Sequence, residues 1–364
     1  MKKRKVCIAP LDWGLGHATR CIPLIKALQA LDYEVYIGSE GHHESLLRTE
    51  IADAVFLPLR GYRVYYSKNS TLFNLTMLLQ LPKIIYAIYN EQVWIKKMHR
   101  KFQFDLIIAD NRYGIYHKQV KSIFMTHQLN IQTPKKWLTN WVQHLQYQWY
   151  KKFNRIWIPD MPIKNNLSGI LGNPLRMPTT PTWYMGTLSR LIVANFKNEY
   201  YKEQFKFLGM VSGPEPQRTL FEKMLWNSGT QSKERFVIVA GRPFDKNQEQ
   251  MNGQGILYPH LDGTALAEKI QAAEWIVCRG GYTSLMELIP FHKKIILVPT
   301  PGQTEQLYLA QYWQKNNWAL YFDQAEFNLD LILKKSADHV FEQPPFEPFS
   351  IEGLKVQLEQ LSLS

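Results

Sequence analysis

An alternation that runs through the chain twice constrains the fold more than anything else in the sequence. Short, continuously apolar runs alternate with segments whose apolar residues recur at helical spacing. In the first half the runs are KVCIAPL, YEVYIGS, AVFLPL, DLIIAD (105–110), KSIFMTH (121–127) and RIWIPD (155–160), with ATRCIPLIKALQAL and HHESLLRT as helical patterns between them. Apolar runs without polar alternation suit strands covered on both faces, and strands separated by helices pair in parallel. The pattern then restarts. FKFLGM, RFVIVAG, GILYPHL, EWIVC and KIILVPT supply strands, while QRTLFEKMLWNSG, SLMELIPF and TEQLYLAQYWQKNN supply helices. The expected fold class is α/β, two Rossmann-like domains with parallel sheets facing across a cleft. The expected boundaries are 1–185 for the first domain, 186–205 for a linker, 206–350 for the second domain and 351–364 for a closing helix.

Charge divides the chain in the same way. At 364 residues it is long enough for two cores. The net charge of +12 is uneven: residues 1–210 carry 29 Lys and Arg against 13 Asp and Glu, whereas residues 211–364 carry 14 against 18. A basic first half favours an anionic partner: phospholipid headgroups, a polyanionic acceptor or nucleic acid. No helix-turn-helix, RNP or zinc pattern appears, so nucleic acid is not expected.

Residues 72–102 and 137–157 interleave Trp, Tyr and Leu with Lys and Arg. Such segments suit a lipid headgroup layer, and equally a core helix with a solvated basic face. The longest uncharged stretches, 69–82 and 137–150, run 14 residues. That is short of the ~20 needed to span a bilayer, so any membrane contact is expected to be peripheral. The opening MKKRKVCIAPL meets Asp12 and a glycine turn before it reaches the length of a signal-peptide core, which points to the cytoplasm and the inner membrane face. Cys7, Cys21 and Cys278 have no metal-ligand spacing and read as reduced core thiols.

In open α/β sheets, ligands sit at the carboxyl ends of the strands. Gly14-Leu15-Gly16-His17 follows the first run, Asp110 ends the fourth and His127 the fifth. A third glycine is missing, so this is no dinucleotide fingerprint. A neutral His17 at a cleft mouth can take a proton from an acceptor hydroxyl, with Asp110 holding its tautomer and His127 on the acceptor side. The competing readings are an exposed turn histidine and a helix-capping aspartate. In the second half, Arg279-Gly280-Gly281 opens a helix whose first amides suit a diphosphate. Thr283 and Ser284 can donate to its oxygens, and Glu287 can accept from ribose hydroxyls. The competing reading has the hydroxyls capping the helix and Glu287 in solvent. The chain has no Asp-x-Asp to hold Mg²⁺ or Mn²⁺ on a diphosphate, so no metal and no cofactor are expected.

CRGGYTSLMEL followed by ILVPTPGQTEQ resembles the donor-site signature of the family 28 glycosyltransferases, including the MurG-type N-acetylglucosaminyltransferases and the diacylglycerol glycosyltransferases. GLGHATR resembles their first-domain glycine–histidine loop, and VSGPEPQRT stands where a glycine-rich turn opens their second domain. The resemblance implies a GT-B fold and a nucleotide-sugar donor, usually a UDP-sugar. It implies Arg279 and Ser284 at the diphosphate, with Ser212 and Gly213 approaching from the other side. It places Glu287 at the ribose, Gln306 and Glu305 at the sugar, His17 as base and Asp110 as its orienting acid. Gly280 departs from the usual Ser, and Gln303-Thr304-Glu305 from a more basic loop.

The expected function is therefore metal-independent transfer of a sugar from a nucleotide-sugar to an acceptor hydroxyl, lipid-linked or in the cell envelope, with inversion. A UDP-sugar 2-epimerase-like enzyme, a non-catalytic nucleotide-sugar-binding protein and a retaining mechanism stay open on sequence alone.

Overall fold

The computed structural model describes residues 3–64, 76, 79–133, 135–162, 166–191, 204–243, 245 and 249–362. The chain divides into two compact units. The first comprises residues 1–65, 77–189 and 345–364, the second residues 66–76 and 190–344.

In the first unit, β1 (Arg4–Pro10) leads into α1 (Gly16–Ala30), then β2 (Tyr33–Ser39), α2 (Gly41–Glu50) and β3 (Val55–Pro58). α3 (Leu81–Phe102), β4 (Leu106–Asp110), β5 (Lys121–Met125), α4 (Lys136–Tyr150), β6 (Arg155–Ile158) and β7 (Thr182–Tyr184) follow. The sheet order is β3-β2-β1-β4-β5-β6-β7, parallel throughout. Every residue of β4 is buried, as a strand covered on both faces must be. Order reverses at β1, where chain connections diverge to either side and leave a crevice at the strand ends. Pro10 is the register partner of Asp110, so the turn after β1 begins beside the end of β4.

The second unit repeats the plan. β8 (Phe205–Met210), α5 (Gln217–Gln231), β9 (Phe236–Val239), β10 (Gln250–Asn252), β11 (Gly255–Tyr258) and α6 (Gly263–Ala272) come first. β12 (Ala273–Cys278), α7 (Tyr282–Leu288), β13 (Lys294–Leu297), α8 (Thr304–Lys315), β14 (Leu320–Tyr321) and α9 (Leu329–Ser336) complete it. The order is β10-β11-β9-β8-β12-β13-β14, parallel except for the β10–β11 hairpin. Its core stacks Phe207 on Phe236 and closes around Phe221, Trp275 and Val277.

The closing helix α10 (Ile351–Ser362) belongs to the first unit rather than standing alone. Arg155 Nη1 donates to Gln357 Oε1 at 2.7 Å, and the Thr187 amide to Glu347 O at 2.8 Å. Residues 192–203 of the expected linker, and 72–75 and 77–78 of the expected aromatic segment, lie outside the described residues.

Candidate active site

The turn between β1 and α1 is held from two directions. Gly14 has φ +72°, where a side chain would strain the backbone, and a Cβ there would meet nothing within 4 Å. His43 Nε2 donates to Gly14 O at 2.9 Å; burial lowers its pKa, which keeps the ring neutral. Asp12 accepts from the amides of Tyr62 and Arg63 at 2.8 and 2.9 Å, tying the turn to the loop after β3. Gly16 opens α1, so His17 sits in its first turn.

His17 Nδ1 lies 2.9 Å from Asp110 Oδ2. His17 is 13% exposed and Asp110 fully buried. Burial alone would raise the carboxyl pKa, but the Arg20 guanidinium and His17 outweigh it and hold the group at about 2. An ionised carboxylate only accepts, so it selects the tautomer with the proton on Nδ1 and leaves Nε2 as the basic nitrogen. Burial, reinforced by Arg20, pushes the His17 pKa down to about 4 against the pull of Asp110. The imidazole is therefore neutral at physiological pH, as a general base must be. Asp110 caps no helix: it ends β4 and its side chain is taken up by His17 and Arg20.

His127 joins the same cluster through Arg20, whose Nη1 donates to His127 Nδ1 at 3.0 Å. Sequence reading passed over Arg20 although it stands inside GLGHATR. Its signal was its spacing, three residues after His17 on one helix face, among Ala18, Thr19, Cys21 and Ile22, all buried.

In the second unit, the loops at the strand ends carry Ser212 and Gly213 after β8, Gly280 and Gly281 after β12, and Gln303, Glu305 and Gln306 at the start of α8. Gly281, Thr283 and Ser284 are half-buried, and a Cβ on Gly281 would meet open space. Gly213 has φ +99°, also facing open space. α7 itself is about two turns long and runs straight into a 3-10 turn, Ile289–Phe291.

The structure defines the surroundings of four residues expected on the donor side. Arg279 is not an open charge: it is 1% exposed, donates Nη1 to Val298 O at 3.0 Å and Nη2 to Gln217 O at 3.2 Å, and lies 3.9 Å from the Phe221 ring centroid. It knits three strand-end segments together. Burial pulls its pKa down to about 9, which still leaves it charged at neutral pH. Glu287 is not in solvent: it is buried, and its Oε1 accepts from Arg190 Nε at 3.2 Å. Gln306 is buried too, with Oε1 accepting from the Thr300 amide at 2.8 Å, so its carbonyl serves the loop before α8. The departure at Gly280 has a packing cause, because a Cβ there would stand 2.8 Å from Gln306 O.

Comparison with known proteins agrees with this architecture. Residues 211–350 match the glycosyltransferase family 28 C-terminal domain. An uncharacterized glycosyltransferase of Methanosarcina mazei is 22% identical over 334 residues, covering 83% of this chain and 81% of that one. The glycosyltransferase SnogD from Streptomyces nogalater superposes with a TM-score of 0.63 at 12% identity, over 99% of this chain and 100% of SnogD. Arabidopsis thaliana UGT89C1, solved with UDP-L-rhamnose, gives 0.59 at 12% identity, over 99% and 95%. The fold is GT-B, with residues 211–350 similar to the family 28 C-terminal domain. The chain is a glycosyltransferase.

Proposed function

We propose that the protein moves a sugar from a nucleoside diphosphate sugar, a UDP-sugar in the first instance, to an acceptor hydroxyl, with inversion and without a metal ion. The observation that carries this reading is the neutral His17 held at 2.9 Å by an ionised Asp110. His17 Nε2 takes the acceptor proton, and the freed oxygen attacks the anomeric carbon. The bond from that carbon to the diphosphate oxygen breaks, and its electron pair leaves on the nucleoside diphosphate. Asp110 stabilises the imidazolium that forms.

The donor is assigned to the second unit. Ser212, Gly213, Gly281, Thr283 and Ser284 are the proposed diphosphate contacts, Glu287 the ribose contact, and Gln303, Glu305 and Gln306 the sugar side. Arg279 supports this assignment through its field. Its charge is met by carbonyl oxygens and an aromatic ring, and among the described residues it has no carboxylate ion pair. Its Nε is buried without a partner. A cation without a carboxylate partner, next in sequence to the Gly280–Gly281 turn, favours an anion nearby.

The acceptor is proposed to be lipid-linked or part of the cell envelope, met at an anionic membrane surface. Leu81, Ile85, Tyr89 and Val93 recur at helical spacing on α3 and are exposed, as are Trp137, Trp141 and Leu145 on α4. Lys83, Lys96, Lys97 and Lys136 beside them are exposed as well. Apolar stripes flanked by cations complement anionic headgroups. No helix among the described residues is long and apolar enough to cross a membrane.

The test is a thermal-shift screen of UDP, dTDP, GDP and their sugars, followed by NMR of the anomeric product. Stabilisation by a nucleotide and an inverted product are expected. No nucleotide response, or a retained configuration, would contradict the donor or the base assignment respectively.

A further inference from the structure

One guanidinium contacts Asp110, His17 and His127 together. Arg20 is 1% exposed. Its Nε donates to Asp110 Oδ2 at 3.0 Å and its Nη2 to Asp110 Oδ1, a bidentate pair. Nη1 donates to His127 Nδ1 at 3.0 Å. Nη2 also stands 2.9 Å from His17 Nδ1, a contact that is no hydrogen bond because Nδ1 gives its proton to Asp110 and both atoms are donors. A guanidinium donates only, so His127 must offer an unprotonated Nδ1 and carry its proton on Nε2. Cys21 Sγ completes the shell, 3.8 Å from Asp110 Oδ2. A rigid planar donor thus fixes a carboxylate, and through it one imidazole, while fixing a second imidazole directly.

We propose that Arg20 is the positioning residue of this site, its fork holding Asp110, His17 and His127 so that His17 keeps one orientation and one tautomer. This rests on His17 being the base. A lysine keeps the charge but offers a point donor that cannot engage both carboxylate oxygens and His127 together. The groups facing His17 are Arg20 from α1, Asp110 from β4 and His127 from the loop after β5. Removing the guanidinium leaves His17 facing a buried carboxylate with its main neighbouring cation gone. Its imidazolium then gains the whole of that carboxylate, so its proton affinity rises.

Two variants separate positioning from simple support of the fold. Arg20→Lys, which preserves the buried charge, is expected to stay folded by thermal denaturation. It should lose roughly 10- to 100-fold in kcat with donor KM little changed, the scale of a misplaced catalytic group. Arg20→Gln is expected to shift the titration of the His17 ring, followed by NMR of its C–H resonances without substrate, upward from about 4 toward the ordinary 6.5. A folded Arg20→Lys protein with wild-type kcat would overturn the proposal, and so would an unmoved His17 titration in folded Arg20→Gln. If Arg20→Gln does not fold, Arg20→Lys still decides. A His17→Ala enzyme with wild-type turnover would remove the base assignment instead, and the titration would then report on Arg20 alone.

Discussion

His17 Nδ1 and Asp110 Oδ2 stand 2.9 Å apart although 93 residues separate them. Sheet register brings them together: Asp110 pairs with Pro10 at the last position of β1, and His17 follows in the first turn of the next helix. Two strand ends at the point where sheet order reverses therefore deliver an imidazole and a buried carboxylate to one place. The chemistry proposed for this chain depends on that adjacency.

Asp110→Asn should damage both stability and turnover. An amide can donate toward Nδ1 and invert the histidine tautomer, and it leaves the buried Arg20 charge without its carboxylate. Breaking such a buried pair costs about 3–5 kcal/mol, and losing the tautomer should cost ~100-fold or more in kcat. Thermal denaturation and steady-state rates on the same preparation check this. Wild-type values for both would mean that the carboxylate does neither job.

The acid limb of kcat/KM should lie near 4, not near the ordinary histidine value of 6.5, because burial and Arg20 disfavour the imidazolium. The same shift makes folding sensitive to acid. The unfolded chain takes up the proton as pH falls through 6.5, whereas the folded one refuses it until about 4. Stability is thus full above 6.5 and declines across that window, by at most about 3 kcal/mol from this group. Denaturant titrations from pH 7 to pH 4 read the slope, and His17→Asn should flatten it. An acid limb near 6.5 would contradict the neutral, buried histidine.

Glu287→Gln should weaken UDP binding by about 1–3 kcal/mol, the cost of losing a charge-assisted hydrogen bond. Glutamine keeps the shape, so the Arg190 contact loses its charge without a cavity opening around it. Calorimetry with UDP measures the effect directly. Unchanged affinity would confine Glu287 to its ion pair with Arg190.

Vesicle co-sedimentation should require anionic lipid and fall as salt rises, since screening at 0.1 M ionic strength acts over about 10 Å. Trp137→Ser with Trp141→Ser should reduce binding, because both side chains are exposed on one face of α4. Binding that ignores lipid charge, or none at all, would remove the membrane from the proposal.

Much of the fold was legible because strands buried on both faces leave continuous apolar runs, such as LIIAD in β4. The exceptions obey the same logic. β10 is exposed along its whole length and has no apolar face to betray it; only the glycine of the two-residue Gly253–Gln254 turn signals the hairpin. β7 and β14 are too short to show a pattern. At the site, His17 and Asp110 were legible as polar residues at strand ends. Arg20 was not, and neither was the burial of Arg279, because arginine ordinarily marks surface. Both are 1% exposed, one set against a carboxylate and the His127 imidazole, the other against backbone carbonyls and the Phe221 ring. Such partners are distant in sequence and become visible only once the sheets are assembled.

The most direct measurement is the single-turnover rate of His17→Ala beside its affinity for the nucleotide donor. A loss of at least ~100-fold in rate with donor affinity kept within about twofold is expected, the scale of a missing general base. A rate equal to that of the unaltered enzyme would contradict the assignment of His17 as the group that takes the acceptor proton.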